Sequence, residues 1–489
     1  MTTAACGERD TEIELKLDLD HEGAAALGRL PILASLSPDE QEQRTTYFDT
    51  PTQDLRAAGV SLRVRQTGER FVQTIKAASA AAAGVFARPE WERDVAGPAP
   101  DLGLGSPLRA MVDESLLAQL QPVFTVVVTR RRWQVETPGA AVELVLDEGT
   151  VQAGGAEADI REIEAELKHG VPEALFSLGR TIAAAIPVRL GVLTKADRGY
   201  QLLDGTPDKA VKAEGVTVAT DATVADAFAA IAGACLRQFR RNEDLFRASP
   251  VPDALHQTRV ALRRLRSALS LFKPVLADAR FPLLASELRD LARALGPARD
   301  LDVLIARLGD TAGDEIRAAR EAAYADARAA LESQRTRDLM LAIVEWIAVG
   351  DWRVRPADPA ALDQPAADYA ATVLRRLRRR VKKRGAHLVD LGDDDRHKVR
   401  ILTKKLRYAT DFFAGLFTGK KAQRRHKAFG KKLAALQKHL GSLNDLATAP
   451  ALLTGFRLHH ETIDRDARDR LLRKAAKAHG SLVEAKRFW

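Results

Sequence analysis

The clearest structural signal in the sequence is a short alternating stretch near its start, Glu12-Ile13-Glu14-Leu15-Lys16-Leu17. Side chains two residues apart share one face of a β-strand, so the charged residues of this stretch face one way and the aliphatic ones the other. The same period recurs at 62–65, 142–147 and 162–168, and glycines punctuate the runs. Residues 12–200 are therefore predicted to form a mostly antiparallel sheet.

The polar faces of the later strands carry rows of like charge. Two rows are basic and two are acidic: Arg63 and Arg65, Arg130 and Arg132, Glu143 and Asp147, and Glu162, Glu164 and Glu166. A solvated outer face would explain any one of these strands taken alone. Taken together, they favour a sheet closed into a barrel with its charges inward, which makes a polar tunnel whose acidic rows face its basic rows.

A tunnel of this kind has a suitable ligand in triphosphate. Arginine and lysine pair with phosphate oxygens, and carboxylates can hold the Mg²⁺ or Mn²⁺ that bridges those oxygens. Phosphoryl transfer needs positioning, charge neutralisation and a metal-activated water. We therefore expect no dedicated nucleophilic side chain.

Further motifs follow the first strand in order along the chain. They are Tyr47-Phe48-Asp49-Thr50, Leu62-Arg63-x-Arg65, Thr74-Ile75-Lys76, Arg88-Pro89-Glu90-Trp91-Glu92, the strand from Arg130 to Trp133, Asp147, the strand 162–168, and Thr194-Lys195-Ala196-Asp197-Arg198-Gly199-Tyr200. Together with Glu12-x-Glu14-x-Lys16, this ordered set resembles the CYTH, or triphosphate tunnel metalloenzyme, superfamily. The resemblance covers about 200 residues and is specific as a set, although the first motif alone is a weak pattern.

The resemblance implies an eight-stranded tunnel that hydrolyses inorganic triphosphate or a triphosphate ester with Mg²⁺ or Mn²⁺. Carried over by position, the metal ligands are Glu12, Glu14, Asp147, Glu162 and Glu164, with Glu166 on the same strand face leaving the register open by two residues. The catalytic cations are Lys16, Lys76, Arg130 and Lys195, and the substrate-binding cations are Arg63, Arg65 and Arg132. Glu90 and Glu92 also resemble family positions, and the resemblance does not define their roles.

The charge of the chain changes sign along its length. Of the 489 residues, 211–489 carry 53 Lys+Arg against 34 Asp+Glu, whereas 1–210 carry 22 against 32. From 217 onward long helical periodicity replaces alternation, after a loose stretch with Gly205 and Pro207. We predict a tunnel domain at 8–203, a linker at 204–216 and an all-α domain at 217–489, which makes the chain an α+β multidomain protein.

The helical half contains an internal repeat of three landmarks in the same order. The stretch 236–241 recurs at 374–379, a cationic stripe recurs, and 295–301 recurs at 440–446. The stripe residues are His256, Arg259, Arg263, Arg264 and Arg266 in the first copy and His397, Arg400, Lys404, Lys405 and Arg407 in the second. At 100° per residue most of each stripe lies on one helical face beside an apolar one. Since like charges at i, i+4 destabilise a helix slightly, the stripe is not explained by helix stability, and a polyanion partner is favoured over a solvated face.

The paired His-containing helices resemble the CHAD domain, a conserved-histidine α-helical domain, over residues 217–489. This resemblance implies two four-helix bundles related by a pseudo-twofold axis, polyphosphate binding on the basic surface and association with polyphosphate granules. In the second copy Asn444 stands where Arg299 sits and Ala447 where Asp302 sits, so the two copies need not bind equally. Together the two domains resemble CYTH-CHAD inorganic triphosphatases.

Other functions remain open or are disfavoured by the sequence. The alternatives are a polyphosphate-binding or granule-associated protein with a slow or regulatory tunnel, a thiamine triphosphatase and an adenylate cyclase. Nucleic acid is disfavoured as a partner because few aromatic residues lie near the basic stripes. Cys6 and Cys235 are too few for a disulfide scaffold or a zinc site. The sequence shows neither an apolar run of about 18 residues nor a leader-like start, so no membrane association and a cytoplasmic location are expected.

Overall fold

The computed structural model describes residues 11–77, 85–137, 139–206, 209–455 and 465–489, with side chains for all of these except 11, 12, 85–89, 448–455 and 465. The chain divides into two compact units that alternate along the sequence. Unit 1 comprises Met1–Val211, Phe239–Ala254 and Ala329–Gly350, and unit 2 comprises Lys212–Gln238, Leu255–Arg328 and Asp351–Trp489.

Unit 1 is built around an antiparallel sheet. Its strands are β1 Thr11–Asp18, β2 Asp39–Asp49, β3 Val60–Thr67, β4 Arg70–Ala77, β5 Val85–Val95, β6 Gln121–Thr137, β7 Ala140–Ala153, β8 Ala156–Gly170 and β9 Arg189–Leu190. Its first five helices are α1 His21–Leu27, α2 Asp54–Ala57, α3 Glu114–Leu117, α4 Glu173–Ala185 and α5 Lys195–Leu203. The predicted antiparallel sheet is confirmed.

The sheet has nine strands in the order β5-β4-β3-β2-β6-β7-β8-β1-β9, and β1 also pairs with β5. Register places charged residues of neighbouring strands opposite each other: Lys16 opposite Glu164, Asp147 opposite Glu162, and Arg130 opposite Asp147. The alternating sequence of β1 allows this strand to be buried on both faces. Leu15 and Leu17 are 0% and 2% exposed, and on the opposite face Glu14 and Lys16 are only 5% and 2% exposed. The aliphatic face packs into the core, and the charged face is buried against other charges.

The rest of the described chain is helical, as predicted. The helices are α6 Val224–Ala248, α7 Pro252–Phe272, α8 Phe281–Ala294, α9 Gly296–Leu308, α10 Asp314–Glu332, α11 Gln334–Val349, α12 Asp351–Val354, α13 Pro359–Asp363, α14 Ala366–Arg384, α15 Asp393–Phe412, α16 Lys420–Gly455 and α17 Arg465–Val483. Short 3₁₀-helices occur at Pro107–Ala110, Gly309–Thr311 and Ala414–Leu416. None of the helices in the described part of the chain has the length and apolarity needed to cross a bilayer.

The internal repeat is visible in the helices, with one difference. Its first landmark lies on α6 and α14, and its cationic stripes lie on α7 and α15. The third landmark falls at the break between α8 and α9 in the first copy but inside the continuous helix α16 in the second. Pro297 follows Gly296 in the first copy, and Ser442 follows Gly441 in the second. Because proline lacks an N–H and clashes with the preceding turn, Pro297 begins a new helix where Ser442 continues one.

Candidate functional site

Unit 1 contains a strongly charged cavity with a volume of about 510 Å³. Among the described residues, eight cationic and six acidic side chains line it. They are Lys16, Arg63, Arg65, Lys76, Arg130, Arg132, Lys168 and Lys195, with Glu14, Glu90, Glu92, Glu143, Glu164 and Glu166. The cavity therefore gathers side chains from strands far apart in the sequence and from α5.

A group of three carboxylates includes one residue of this wall, Glu164. Asp147, Glu162 and Glu164 each offer an oxygen, and the three oxygens lie within 4.8 Å of one another. The ammonium of Lys195 contacts all three acids, at 2.6 Å from Asp147, 2.5 Å from Glu162 and 2.9 Å from Glu164. Lys16 donates to Glu162 at 2.9 Å and to Glu164 at 2.7 Å. The three acids are thus held together by cations.

Arg130 completes this group. Its guanidinium donates to both oxygens of Asp147, at 2.8 and 2.6 Å, and its Nη2 donates to Glu164 at 3.1 Å. The bidentate contact with Asp147 fixes the plane of that carboxylate. Three acids and three cations make the group formally neutral, which limits the cost of burying it.

The pKa shifts show that these groups stay charged. Burial raises the pKa of Glu164, but Lys16, Lys195 and Arg130 outweigh it and hold the pKa well below the usual value. Burial lowers the pKa of Lys195, but Asp147, Glu162 and Glu164 outweigh it and raise the pKa well above the usual value. Carboxylate oxygens therefore remain available as ligands at neutral pH.

The three acids suit a hard divalent cation. Mg²⁺ and Mn²⁺ prefer oxygen ligands, and all three residues supply them. Glu162 is fully buried, and its Oε2 has no hydrogen-bond partner among the described residues. Arg198 Nε lies 3.8 Å from this oxygen. A buried carboxylate oxygen without a hydrogen bond is costly unless a cation lies near it. The residues therefore fit a divalent metal.

Cations held by acids form another part of the wall. Lys76 lies 2.6 Å from Glu90, which is also 3.8 Å from Arg63. Arg65 donates to Glu92 at 3.2 Å, and Thr74 donates to the same carboxylate at 2.8 Å. These contacts give Glu90 and Glu92 a role that their family positions left undefined, since they hold Lys76, Arg63 and Arg65 at the cavity.

The predicted site residues are mostly brought together. The seven predicted cations and Glu14, Glu164 and Glu166 line the cavity. Asp147 and Glu162 are 0% exposed, and each has an oxygen within 4.8 Å of one of Glu164. Glu14 and Glu166 lie outside the close group of three acids, and Lys168 contacts Glu166 at 2.6 Å. Glu12 lies on β1, but its side chain is outside the described residues.

The helix α5 positions Lys195. Thr194 and Asp197 form a capping box that begins the helix at Lys195. A Cβ at Gly199 would overlap the Phe124 ring, so glycine lets α5 pack directly against β6. Tyr200 donates to Asp49 at 2.6 Å, and the same buried carboxylate accepts from the backbone of Thr50 at 2.7 Å. Two motifs far apart in the sequence therefore meet to fix this helix.

Sequence reasoning missed two residues beside the group of acids. Arg198 donates to Asp18 at 2.7 Å and lies 3.8 Å from Glu162. A signal was present for Arg198, because a residue three positions after Lys195 lies on the same side of a helix. Asp18 also carried a signal, because it lies two residues after Lys16 and therefore on the same face of β1.

Unit 2 contains a second cavity, of about 660 Å³, in which the two stripes meet. His256, Arg263 and Arg264 line it from α7, and Lys404 and Arg407 line it from α15. Burial, followed by the charges of Arg263 and Arg400, lowers the pKa of Lys404 to about 7. The crowding of cations here favours an anionic ligand.

The other stripe residues are not in this lining. They are Arg259, Arg266, His397, Arg400 and Lys405. His397 contacts Asn444 at 2.7 Å, and Lys405 donates to Ser270 at 3.0 Å. Arg264 lines the cavity but is 5% exposed and stacks over the Phe412 ring, so it also belongs to the core.

Comparison with known proteins defines the two parts of the chain. Residues 10–200 match the CYTH domain, and residues 230–454 match the CHAD domain. The chain is therefore a CYTH domain followed by a CHAD domain.

Individual relatives resemble one part or the other. An inorganic triphosphatase from Haemophilus influenzae is 30% identical over 196 residues, which are 39% of this chain, and the chain spans about half (54%) of that relative's length. The crystal structure of the CHAD domain from the plant Ricinus communis is 32% identical and covers 57% of this chain and 93% of that one, with a TM-score of 0.45. A candidate adenylyl cyclase from Hippeastrum, described as having a dominant triphosphatase activity, is 21% identical over 39% of this chain and 96% of its own, with a TM-score of 0.32.

Proposed function

We propose that the CYTH part hydrolyses inorganic triphosphate with Mg²⁺ or Mn²⁺ and that the CHAD part binds polyphosphate. The observation that carries the first half is the group of Asp147, Glu162 and Glu164, interlocked with Lys16, Arg130 and Lys195 in a cavity with other cations on its wall. The CYTH match and the triphosphatase relative support the reaction class. We further propose that β1 to β8 act as the eight-stranded tunnel and that β9 is an addition to it.

In this proposal the acidic residues of the site bind the metal and the cationic residues bind phosphate. Asp147, Glu162 and Glu164 would hold a divalent ion, which would supply charge neutralisation and an activated water. Arg63, Arg65 and Lys76 would bind phosphate oxygens. Because Glu90 and Glu92 already pair with these cations, less side-chain freedom would be lost when substrate binds.

The cations inside the acidic group have a second role. Lys16, Arg130 and Lys195 stabilise the three ionised carboxylates before substrate arrives. In a buried site, preorganised charges of this kind need no reorganisation as negative charge shifts between phosphate oxygens. Because Lys16, Arg130 and Lys195 also line the cavity, they would contact phosphate oxygens as well as the carboxylates.

Polyphosphate binding by the CHAD part rests on the second cavity. Cations of both repeats line it, and burial, followed by the charges of Arg263 and Arg400, disfavours the charge of Lys404. A phosphate chain would relieve that repulsion and release counterions. We propose that the repeats form two four-helix bundles, that residues 8–203 and 217–489 act as the two functional domains, and that the protein is cytoplasmic and can associate with polyphosphate granules.

Phosphate release by the purified full-length chain tests this proposal. Tripolyphosphate, ATP and thiamine triphosphate are compared with Mg²⁺ and with Mn²⁺. We expect the highest kcat/KM on tripolyphosphate. A preference for an organic triphosphate would favour a thiamine triphosphatase or a cyclase-like nucleotide enzyme. Negligible turnover combined with tight polyphosphate binding would favour a binding protein with a slow or regulatory tunnel.

A further inference from the structure

Arg240 is an unusually buried arginine, with its side chain 1% exposed. It lies on α6, within the CHAD match, yet the segment Phe239–Ala254 belongs to compact unit 1 together with the CYTH sheet. A buried arginine is retained only where several partners satisfy its donors. Its partners therefore indicate what it does.

The guanidinium of Arg240 is shared among four partners. Its Nε donates to the Leu190 carbonyl at 2.9 Å, and its Nη2 donates to Asp244 at 2.8 and 3.0 Å. Its Nη1 donates to Glu243, and its Nη2 lies 3.9 Å from Asp18. The planar guanidinium of arginine directs its donors in a fixed fork toward a carbonyl and several carboxylates, a geometry that the compact ammonium of lysine does not reproduce.

The contact with Leu190 leads to Lys16. Leu190 is in β9, which pairs with Leu17 and Asp18 of β1. The next residue, Gly191, donates its N–H to the Lys16 carbonyl at 2.8 Å, and a Cβ there would lie 2.5 Å from Lys16 Cγ. The backbone that Arg240 holds is therefore packed directly against the side chain of Lys16.

The contact with Asp18 leads to Glu162. Asp18 accepts from Arg198 at 2.7 Å through its other oxygen, and Arg198 Nε lies 3.8 Å from Glu162. The contacts through Leu190 and those through Asp18 reach neighbouring side chains, because Lys16 donates to Glu162 at 2.9 Å. Arg240 thus supports one cation and one acid of the proposed metal and triphosphate site.

We propose that Arg240 is a positioning residue for the triphosphate site, acting through Leu190 on Lys16 and through Asp18 and Arg198 on Glu162. The working site then extends beyond residues 10–200 and includes a helix of the CHAD match. This inference rests on the proposed triphosphatase function. Residues that orient metal ligands from outside typically change metal affinity or activity by about 10- to 100-fold when altered.

The test compares Arg240→Lys with Arg378→Lys in the full-length chain. Arg378 holds the equivalent place in the second repeat, and it donates to the Val483 and Ala485 carbonyls at 2.7 Å, away from the site. Two quantities are measured: kcat and KM on tripolyphosphate, and binding of Mn²⁺ without substrate, followed by the electron paramagnetic resonance signal of the free ion. Arg240→Lys should lower kcat and weaken Mn²⁺ binding by about tenfold or more, and Arg378→Lys should leave both unchanged.

A second variant separates positioning from folding. Asp18→Asn keeps the size of the side chain but removes its charge, so it should shift the same two quantities in the same direction. In the double variant with Arg240→Lys, the losses in kcat and Mn²⁺ affinity should be smaller than the sum of the two single-variant losses, because Arg240 acts partly through Asp18. Wild-type kcat and Mn²⁺ affinity in Arg240→Lys, or fully additive losses in the double variant, would overturn the inference. If the wild-type chain itself does not hydrolyse tripolyphosphate, it is the proposed function that fails.

Discussion

Lys195 and Asp147 meet in unit 1 with 2.6 Å between the ammonium and a carboxylate oxygen. Lys195 begins α5, whereas Asp147 lies in the middle of β7. The contact therefore depends on how α5 packs against the sheet as well as on register within the sheet. The same ammonium also contacts Glu162 and Glu164, so all three acids of the proposed metal site share one cation.

The first prediction concerns which acids of β8 serve the metal. Glu164 and Glu166 lie on one strand face, but Glu164 contacts Lys16 and Lys195 whereas Glu166 contacts Lys168. Glu164→Gln should lower kcat on tripolyphosphate by on the order of 10²-fold or more, as expected for loss of a preorganised charge. Glu166→Gln is the matched control and should have a much smaller effect. Equal losses in both variants would show that the close group is wrongly assigned.

The second prediction concerns the packing of α5. A Cβ at Gly199 would overlap the Phe124 ring, so Gly199→Ala should lower the free energy of unfolding by about 1–3 kcal/mol through overpacking. The sign is informative, because alanine would otherwise stabilise a helix by roughly 0.5–1 kcal/mol over glycine. Gly97→Ala, where nothing lies within 4 Å of the added Cβ, is the control. A higher melting temperature for Gly199→Ala would contradict this account of how Lys195 is placed.

The sequence predicted the sheet and the helical half well because each has its own period. The alternation of β1 and the repeated cationic stripes are local patterns, which can be recognised in the sequence without knowing the fold. The choice between Glu164 and Glu166 could not be made this way. Both lie on the same face of β8, and they are distinguished by contacts from other elements, such as Lys16 of β1, which lies opposite Glu164.

Contacts between distant segments were also hidden from sequence reasoning. Arg240 was recognised as part of a repeat, but its contacts with Leu190 and Asp18 come from the packing of α6 against β9. The continuity of α16, by contrast, has a local cause in the sequence, although the sequence analysis did not use it. The sequence shows Pro297 in one copy and Ser442 in the other, and that difference alone indicates where a helix must restart.

The third prediction concerns pH and the second cavity. Burial and the charges of Arg263 and Arg400 lower the pKa of Lys404 to about 7, while Asp445 acts weakly in the opposite direction. Lysine is charged below its pKa, and polyphosphate binds the charged form, so affinity should fall as pH rises from 6 to 8.

Titration of the full-length chain with long-chain polyphosphate at several pH values measures this effect. The arginine in Lys404→Arg stays charged at every pH tested, so the affinity of this variant should depend less on pH than that of the wild type. Other groups that titrate near neutral pH are the same in both proteins. The same slope in wild type and Lys404→Arg would mean that Lys404 does not contact the polymer.

The fourth prediction concerns the stripes as a polyanion site. Arg263→Glu or Lys404→Glu should weaken polyphosphate binding while leaving helicity intact, because these side chains lie at the cavity and not in the apolar core. Affinity should also fall steeply as salt rises. Arg355→Glu reverses a charge that is 80% exposed and paired with Asp351, and it is the control. Tighter binding of double-stranded DNA than of polyphosphate at about 150 mM salt would instead favour a nucleic-acid partner.

The most direct test of the central claim is phosphate release from tripolyphosphate by the full-length chain, with saturating Mg²⁺ or Mn²⁺ and with EDTA. In this account Asp147, Glu162 and Glu164 hold a divalent ion that would supply charge neutralisation and an activated water, so activity should require that metal and disappear with EDTA. Activity should return when metal is added in excess. Undiminished turnover in EDTA would contradict the account, because the three acids would then have no part in the reaction.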